Sequence, residues 1–333
     1  MRYEGIHRRS EQLRQSAVLV NEQKVLIARL SGSTQEKDLT EPVNCGGFGR
    51  IRHFRIQPHT SWSADPLPNL PAARALRRPP MPVQRTQVFQ LAACNLRCWY
   101  CFVDTDRLSA STQHASFLSS AEMIDMFLDQ PDRPDSIDLS GGQPDLVPEW
   151  GFWMLQELEA RGLSDQVYLW TDDNLTCRFH WQYLTSRQRH YLAEAPNYGR
   201  VGCFKGYDYD SFAYNTRAAP ALFDNQFAIF SSLLSEGLDM YAYVTFTSAP
   251  VSDLDKRMCS FVDRLQHVHE ALPLRTIPLH IVSFTPVAHR LQPHHEQALH
   301  FQSTVHAAWR AELDLRFSRD ELAKAVTDVS LQR

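Results

Sequence analysis

From Thr86 onward, short apolar runs alternate with helical patterns, and this alternation is what most limits the fold. Residues 87–91 read as the first strand. Ser119-Ser120-Ala121-Glu122 is a capping box that opens a helix carrying Met123, Ile124, Met126, Phe127 and Leu128. Residues 136–139 form the second strand, and Pro148 and Glu149 open a helix that stops at Gly162. A third strand is predicted over 167–170 and a helix over 179–193. A fourth strand follows over 201–204, with a helix over 220–234 ending at Gly237. Residues 241–246 and 277–282 read as strands five and six, separated by a helix over 254–272. The tail over 293–329 is predicted to be mostly helical. Six βα units in order imply a parallel sheet with helices outside. Six units are too few for a closed eight-stranded barrel. The expected fold is therefore α/β, an incomplete (β/α)6 TIM-like barrel with an N-terminal extension and a helical C-terminal tail.

The expected division is a small β-rich cap over 1–85, the barrel core over 86–285 and the tail over 286–333. Within the extension, two apolar runs flank Asn21-Glu22-Gln23-Lys24 and read as a hairpin. Cys45-Gly46-Gly47-Phe48-Gly49 reads as a flexible turn. Six prolines between Pro66 and Pro82 predict an extended connection, with one helical turn near residues 72–76. Residues 1–90 hold 14 Lys and Arg against 7 Asp and Glu, while the remainder holds 20 against 31. A basic N-terminal part suits an anionic substrate or nucleic acid, and equally a solvated arginine-rich surface. Few aromatics are interleaved there for base stacking. No long apolar run predicts a membrane span, and no apolar secretory core opens the chain. A cytoplasmic location is the resulting expectation.

In barrels of this kind, ligand sites lie at the carboxyl ends of the strands. Polar and ligand-type residues gather there. Cys94, Cys98 and Cys101 follow strand one in a C-x₃-C-x₂-C pattern. Ser140-Gly141-Gly142-Gln143-Pro144 follows strand two, and Thr171-Asp172-Asp173-Asn174 follows strand three. Cys203, Phe204 and Lys205 end strand four. Three thiols in one loop can hold an iron–sulfur cluster by three corners and leave one iron open. The other cysteines, Cys45, Cys177, Cys203 and Cys259, are scattered and read as small buried hydrophobes. The odd count argues against a disulfide framework. The histidines show no ligand spacing and read as surface or core residues.

The cysteine triplet, with Tyr100 before its last member, and the segment Gly141-Gly142-Gln143-Pro144 resemble the radical SAM superfamily over roughly residues 86–285. The resemblance implies that Cys94, Cys98 and Cys101 bind a [4Fe–4S] cluster whose fourth iron is chelated by S-adenosylmethionine (SAM). It implies reductive cleavage of SAM to a 5′-deoxyadenosyl radical that abstracts hydrogen from a small-molecule, nucleoside or peptide substrate. A one-electron reductant such as flavodoxin or ferredoxin would supply the electron. Tyr100, Gly141, Gly142, Gln143, Pro144, Asp173 and Lys205 are the implied cofactor-binding residues. Gln143 stands where the superfamily usually has Glu. Lys205 matches half of the Asp-x-Lys pattern of glycyl-radical activating enzymes, with Cys203 at the Asp position, so an activating enzyme is the alternative within this class. The alternative outside it is a non-enzymatic zinc or structural iron–sulfur protein. A zinc site needs a fourth protein ligand, and none is adjacent.

Overall fold

The computed structural model describes residues 3–57 and 64–331. Its ten strands are β1 (Val18–Leu19), β2 (Lys24–Ala28), β3 (Gly49–Arg55), β4 (Val83–Gln90), β5 (Ala115–Ser119), β6 (Ser136–Ser140), β7 (Tyr168–Asp173), β8 (Tyr198–Phe204), β9 (Met240–Thr245) and β10 (Thr276–Leu279). Six of them, β4 and β6 to β10, lie parallel and in chain order, as the alternation predicts. The sheet does not close, so the fold is the expected open half-barrel with helices outside. β3 adds a seventh strand, antiparallel to β4, with Ile51 opposite Gln87.

The strands read as apolar runs because both of their faces are buried. Every residue of β6, β8 and β9 is buried. Side chains alternate between faces. Ile137, Leu139, Leu169, Phe204 and Val244 belong to the main core, beside helical residues such as Phe230 and Phe261. Tyr168, Trp170, Val201, Cys203, Tyr241 and Tyr243 make a second core inside the barrel, closed from below by Leu67 and Ala72. The proline-rich connection thus packs against one end of this interior core, through Leu67 and the short helix Asn69–Ala75.

Several elements differ from the expectation. The helix over 179–193 is two helices, Phe179–Tyr183 and Ser186–Glu194. Thr185 and Gln188 form a capping box that restarts the chain. An unexpected helix, Tyr209–Thr216, follows β8, capped by Asp208. A helix over Tyr3–Ala17 opens the chain. The hairpin forms, and β2 also pairs with β5 in a three-stranded antiparallel sheet. Gly49 does not lie in a free turn but starts β3.

These N-terminal elements brace the strand ends. Leu26 O accepts from Ala92 N at 2.9 Å, two residues before Cys94. Arg14, on the first helix, is buried and ion-paired with Glu149, with one hydrogen bond at 2.8 Å, and it donates to Leu146 O at 3.0 Å. Glu149 therefore serves this pair as well as the first turn of its helix. Among the described residues no helix is long and apolar enough to cross a membrane.

Candidate active site at the strand ends

The cysteine loop leaves β4 and is held by backbone bonds from three sides. Cys94 N donates to Leu108 O (3.0 Å), Trp99 N to Asn215 O (3.2 Å) and Cys101 N to Cys98 O (3.2 Å). Asn215 is fully buried and works as a hub. Its Oδ1 accepts from Trp99 Nε1 (3.1 Å), and its Nδ2 donates to Lys205 O and Thr247 O, both at 2.9 Å. One side chain thereby ties the cysteine loop to the ends of β8 and β9. Asn95 does the same toward β7: it donates to Ser10 and Thr176 and accepts from Asn174 Nδ2 at 2.9 Å. Neither asparagine stands out in the sequence, because an isolated Asn carries no spacing signal.

All three thiols are half-buried at the mouth of the barrel. Burial pushes the Cys98 thiol up to about 12 and raises Cys94 as well. The Lys205 ammonium opposes that shift at both. Burial would lower Lys205, but the anionic forms of Cys203, Tyr100 and Cys98 outweigh it, and the net shift is upward. Lys205 is thus a fixed positive charge beside the thiols. Tyr100 bonds Thr245 Oγ1 through its hydroxyl (3.1 Å), and burial raises its phenol. Cys203 is buried, with its thiol pushed up to about 12 by burial.

The glycine segment is built against this loop. Gly141 and Gly142 have φ of +53° and +89°, a region open to glycine. A Cβ on Gly142 would lie 2.3 Å from Leu91 O and 2.5 Å from Ala93 O. Gln143 N then donates to Ala93 O at 2.8 Å. The Gln143 side chain is buried and turned toward β7: its Nε2 donates to Asp173 Oδ1 (2.7 Å), and its Oε1 accepts from Asn174 N (2.8 Å). Pro144 begins a 3₁₀ turn, Pro144–Leu146.

Asp172 and Asp173 lie in β7 itself rather than in the loop after it. The next helix is preceded by Arg178, so none of residues 172–174 caps it. Asp173 is buried and fully engaged, accepting also from Leu175 N (2.8 Å) and Arg200 Nη2 (2.5 Å). Arg200 also donates to Asp145 Oδ1 at 2.6 Å. Burial pushes the Asp145 carboxyl up to about 7 despite that bond. This buried Asp–Arg–Asp group locks the glycine segment to β7 and β8.

Inside the barrel below the thiols, β3 contributes Arg50 and Arg52, β6 Asp138, β7 Asp172 and β9 Tyr243. Arg52 stands 3.6 Å from Asp138 and 3.7 Å from Asp65. The C-terminal segment covers the mouth. His295 stacks on Trp99 at 4.3 Å with 4° between the planes, and Arg290 donates to Cys101 O. Thr285 N and Oγ1 bond Asp38 at 2.8 and 3.0 Å, joining the tail to the N-terminal extension.

The donor set is three soft thiols in one loop, with Lys205 acting on Cys94 and Cys98. Among the described residues no three His, Cys, Asp or Glu side chains stand closely enough together to hold a metal ion. Soft thiols from one loop have the donor chemistry of an iron–sulfur cluster, while a structural zinc site takes four protein ligands. The open half-barrel, with cysteine loop and glycine segment on neighbouring strand ends, is the fold that six βα units in order implied.

No family model and no curated protein matches the chain. Among solved structures, it is similar to SuiB of Streptococcus suis bound to S-adenosylmethionine, with 16% identity and a TM-score of 0.36 over 53% of this chain and 36% of that one. SuiB bound to its precursor peptide SuiA gives 15% identity and 0.37 over 53% and 35%. The structure of anSMEcpe with bound AdoMet gives 12% identity and 0.40 over 57% and 48%. The chain spans between about a third and a half of the length of these structures.

Proposed function

We propose that the protein is a radical SAM enzyme. Cys94, Cys98 and Cys101 hold a [4Fe–4S] cluster, and residues 86–285 are its catalytic core, with 1–85 as a cap and 286–333 as a covering tail. The observation that carries this reading is the close fastening of the glycine segment to the cysteine loop, through Gln143 N to Ala93 O and the approach of Gly142 to two backbone carbonyls. When bound, the cluster and SAM would supply reductive C–S cleavage to a 5′-deoxyadenosyl radical, which takes a hydrogen atom from a substrate.

The chain's own residues have separate tasks. Lys205 favours the thiolate form of Cys94 and Cys98, which metal binding requires. Gly141 and Gly142, without a Cβ, let the segment lie against Gln90, Leu91 and Ala93 and so fix the backbone beside the cysteine loop where SAM would bind. Gln143 and Asp173 act by positioning, since their polar atoms are bonded to each other and to Asn174, Leu175 and Arg200. Tyr100 and Thr245 line the mouth beside the cysteines. The C-terminal segment over Trp99 and Cys101 narrows access to the thiols. The substrate is a small molecule, nucleoside or peptide, and the electron comes from a flavodoxin- or ferredoxin-type reductant in the cytoplasm.

Anaerobic reconstitution with iron and sulfide tests the reading. Four irons and four sulfides per chain are expected, with 5′-deoxyadenosine and methionine formed from SAM on reduction. A single bound zinc, with no deoxyadenosine under any reductant, overturns it.

A further inference from the structure

The interior of the barrel holds a costly arrangement that the chemistry above does not use. Asp138 is fully buried on β6, and no described group donates a hydrogen bond to either of its carboxylate oxygens. Asp172 Oδ2 accepts from Ser140 Oγ at 2.6 Å, but its Oδ1 is likewise without a donor. The nearest cation, Arg52, stands 3.6 Å from Asp138, within ion-pair range but too far for a hydrogen bond. Arg52 is shared with Asp65, which is already served by Tyr243 Oη (2.9 and 3.0 Å) and Leu67 N (3.2 Å). Arg50 spends its Nε on Gln90 Oε1 (3.3 Å) and lies over the Phe102 ring. Buried polar groups are otherwise paired, and leaving a carboxylate bare is expensive. Burial, and then the neighbouring Asp172, raise the Asp138 carboxyl well above the usual carboxylate range.

Three oxygens thus lack a described hydrogen-bond donor, Asp138 Oδ1, Asp138 Oδ2 and Asp172 Oδ1, although Arg52 is ion-paired with Asp138 and the charges of Arg50 and Lys205 are felt there. An ammonium group carries three N–H donors and a guanidinium five, and either can supply the donors these carboxylate oxygens lack. We propose that Asp138 and Asp172 are the receptor for a primary ammonium or guanidinium group on the substrate, held deep in the barrel beneath the cysteine loop. The inference rests on the proposed function for what then happens to that substrate, but not for its binding. The same cationic group can come from a free amine or from a Lys or Arg side chain of a peptide.

Calorimetric titration of the reconstituted full chain, without reductant, tests this. The probes are cadaverine, agmatine, and blocked tripeptides carrying a central Lys or Arg. The uncharged control is 1,5-pentanediol. At least one cation is expected to bind, the diol is not, and Asp138→Asn is expected to weaken that cation by about tenfold or more. Asp172→Asn, a second variant with one bare oxygen at stake, is expected to weaken it less. Binding by free amines only, or by the peptides only, supports the receptor and names the source. The inference is overturned if the diol binds as well as the cations, if no cation binds at millimolar concentration, or if both variants bind like the parent. Iron loading of the same samples separates this failure from failure of the proposed function, which would show as chains that bind a cation yet carry no cluster.

Discussion

Substituting Gly142 by Ala strikes the point where the glycine segment meets the cysteine loop. Two costs follow from the geometry. The residue sits at φ +89°, and placing an L side chain in that half of conformational space costs about 1–2 kcal/mol. The new Cβ would also stand 2.3 Å from Leu91 O and 2.5 Å from Ala93 O, which are backbone atoms and cannot swing aside. Relief requires the strands to part, and that breaks the Gln143 N to Ala93 O bond, worth about 0.5–1.5 kcal/mol. The sum is a loss of about 1.5–3.5 kcal/mol, from a total that for a domain is about 5–15 kcal/mol. The variant should fold, with a lower urea midpoint, and its iron content after reconstitution should fall below that of the parent, because Ala93 directly precedes Cys94. Gly162→Ala is the control. Its φ is +67°, but open space surrounds it, so it should lose only about 1–2 kcal/mol and keep full iron. If G142A is no less stable than G162A and loads iron equally, the close-approach argument is wrong.

Arg200→Met strands two buried carboxylates, Asp145 and Asp173, and should cost about 3–5 kcal/mol by urea denaturation. Asp145 has a folded value of about 7, above its ordinary one, so it holds its proton longer when folded. Its contribution to stability is therefore greatest below about pH 4 and is lost as pH rises toward 7, and Asp145→Asn should flatten that part of the midpoint-versus-pH curve. His295 shows the opposite sign. Burial holds it down at about 4, so stability falls as pH drops from about 6.5 through 4, and limited proteolysis of the tail should quicken over that range in the parent but not in His295→Gln. Replacing any one of Cys94, Cys98 and Cys101 by Ala should abolish cluster loading, read as loss of visible absorbance, while circular dichroism stays that of the parent.

The parallel strands were legible because burial on both faces writes them as apolar runs, as in residues 241–244 of β9. β3 was not, since its Arg-Ile-Arg-His-Phe-Arg core reads as a polar loop. Its Arg52 makes sense only once Asp138 and Asp65 are seen beside it. The cysteine triplet was legible because ligands that close on one body must share a short loop. Asn215 and Asn95, which hold that loop in place, were not, because their partners lie far away in the chain. The break at Thr185 did have a signal, Thr-x-x-Gln, hidden by apolar residues that continue the helical period across it.

The bond between Asp38 and Thr285 spans 247 positions of sequence. During synthesis the extension, the cysteine loop and every strand emerge before the residues that complete this clasp. The clasp across the mouth of the barrel therefore forms only after the cysteine loop and the strands are already present, and it ties the two segments that flank the barrel to each other rather than to a strand.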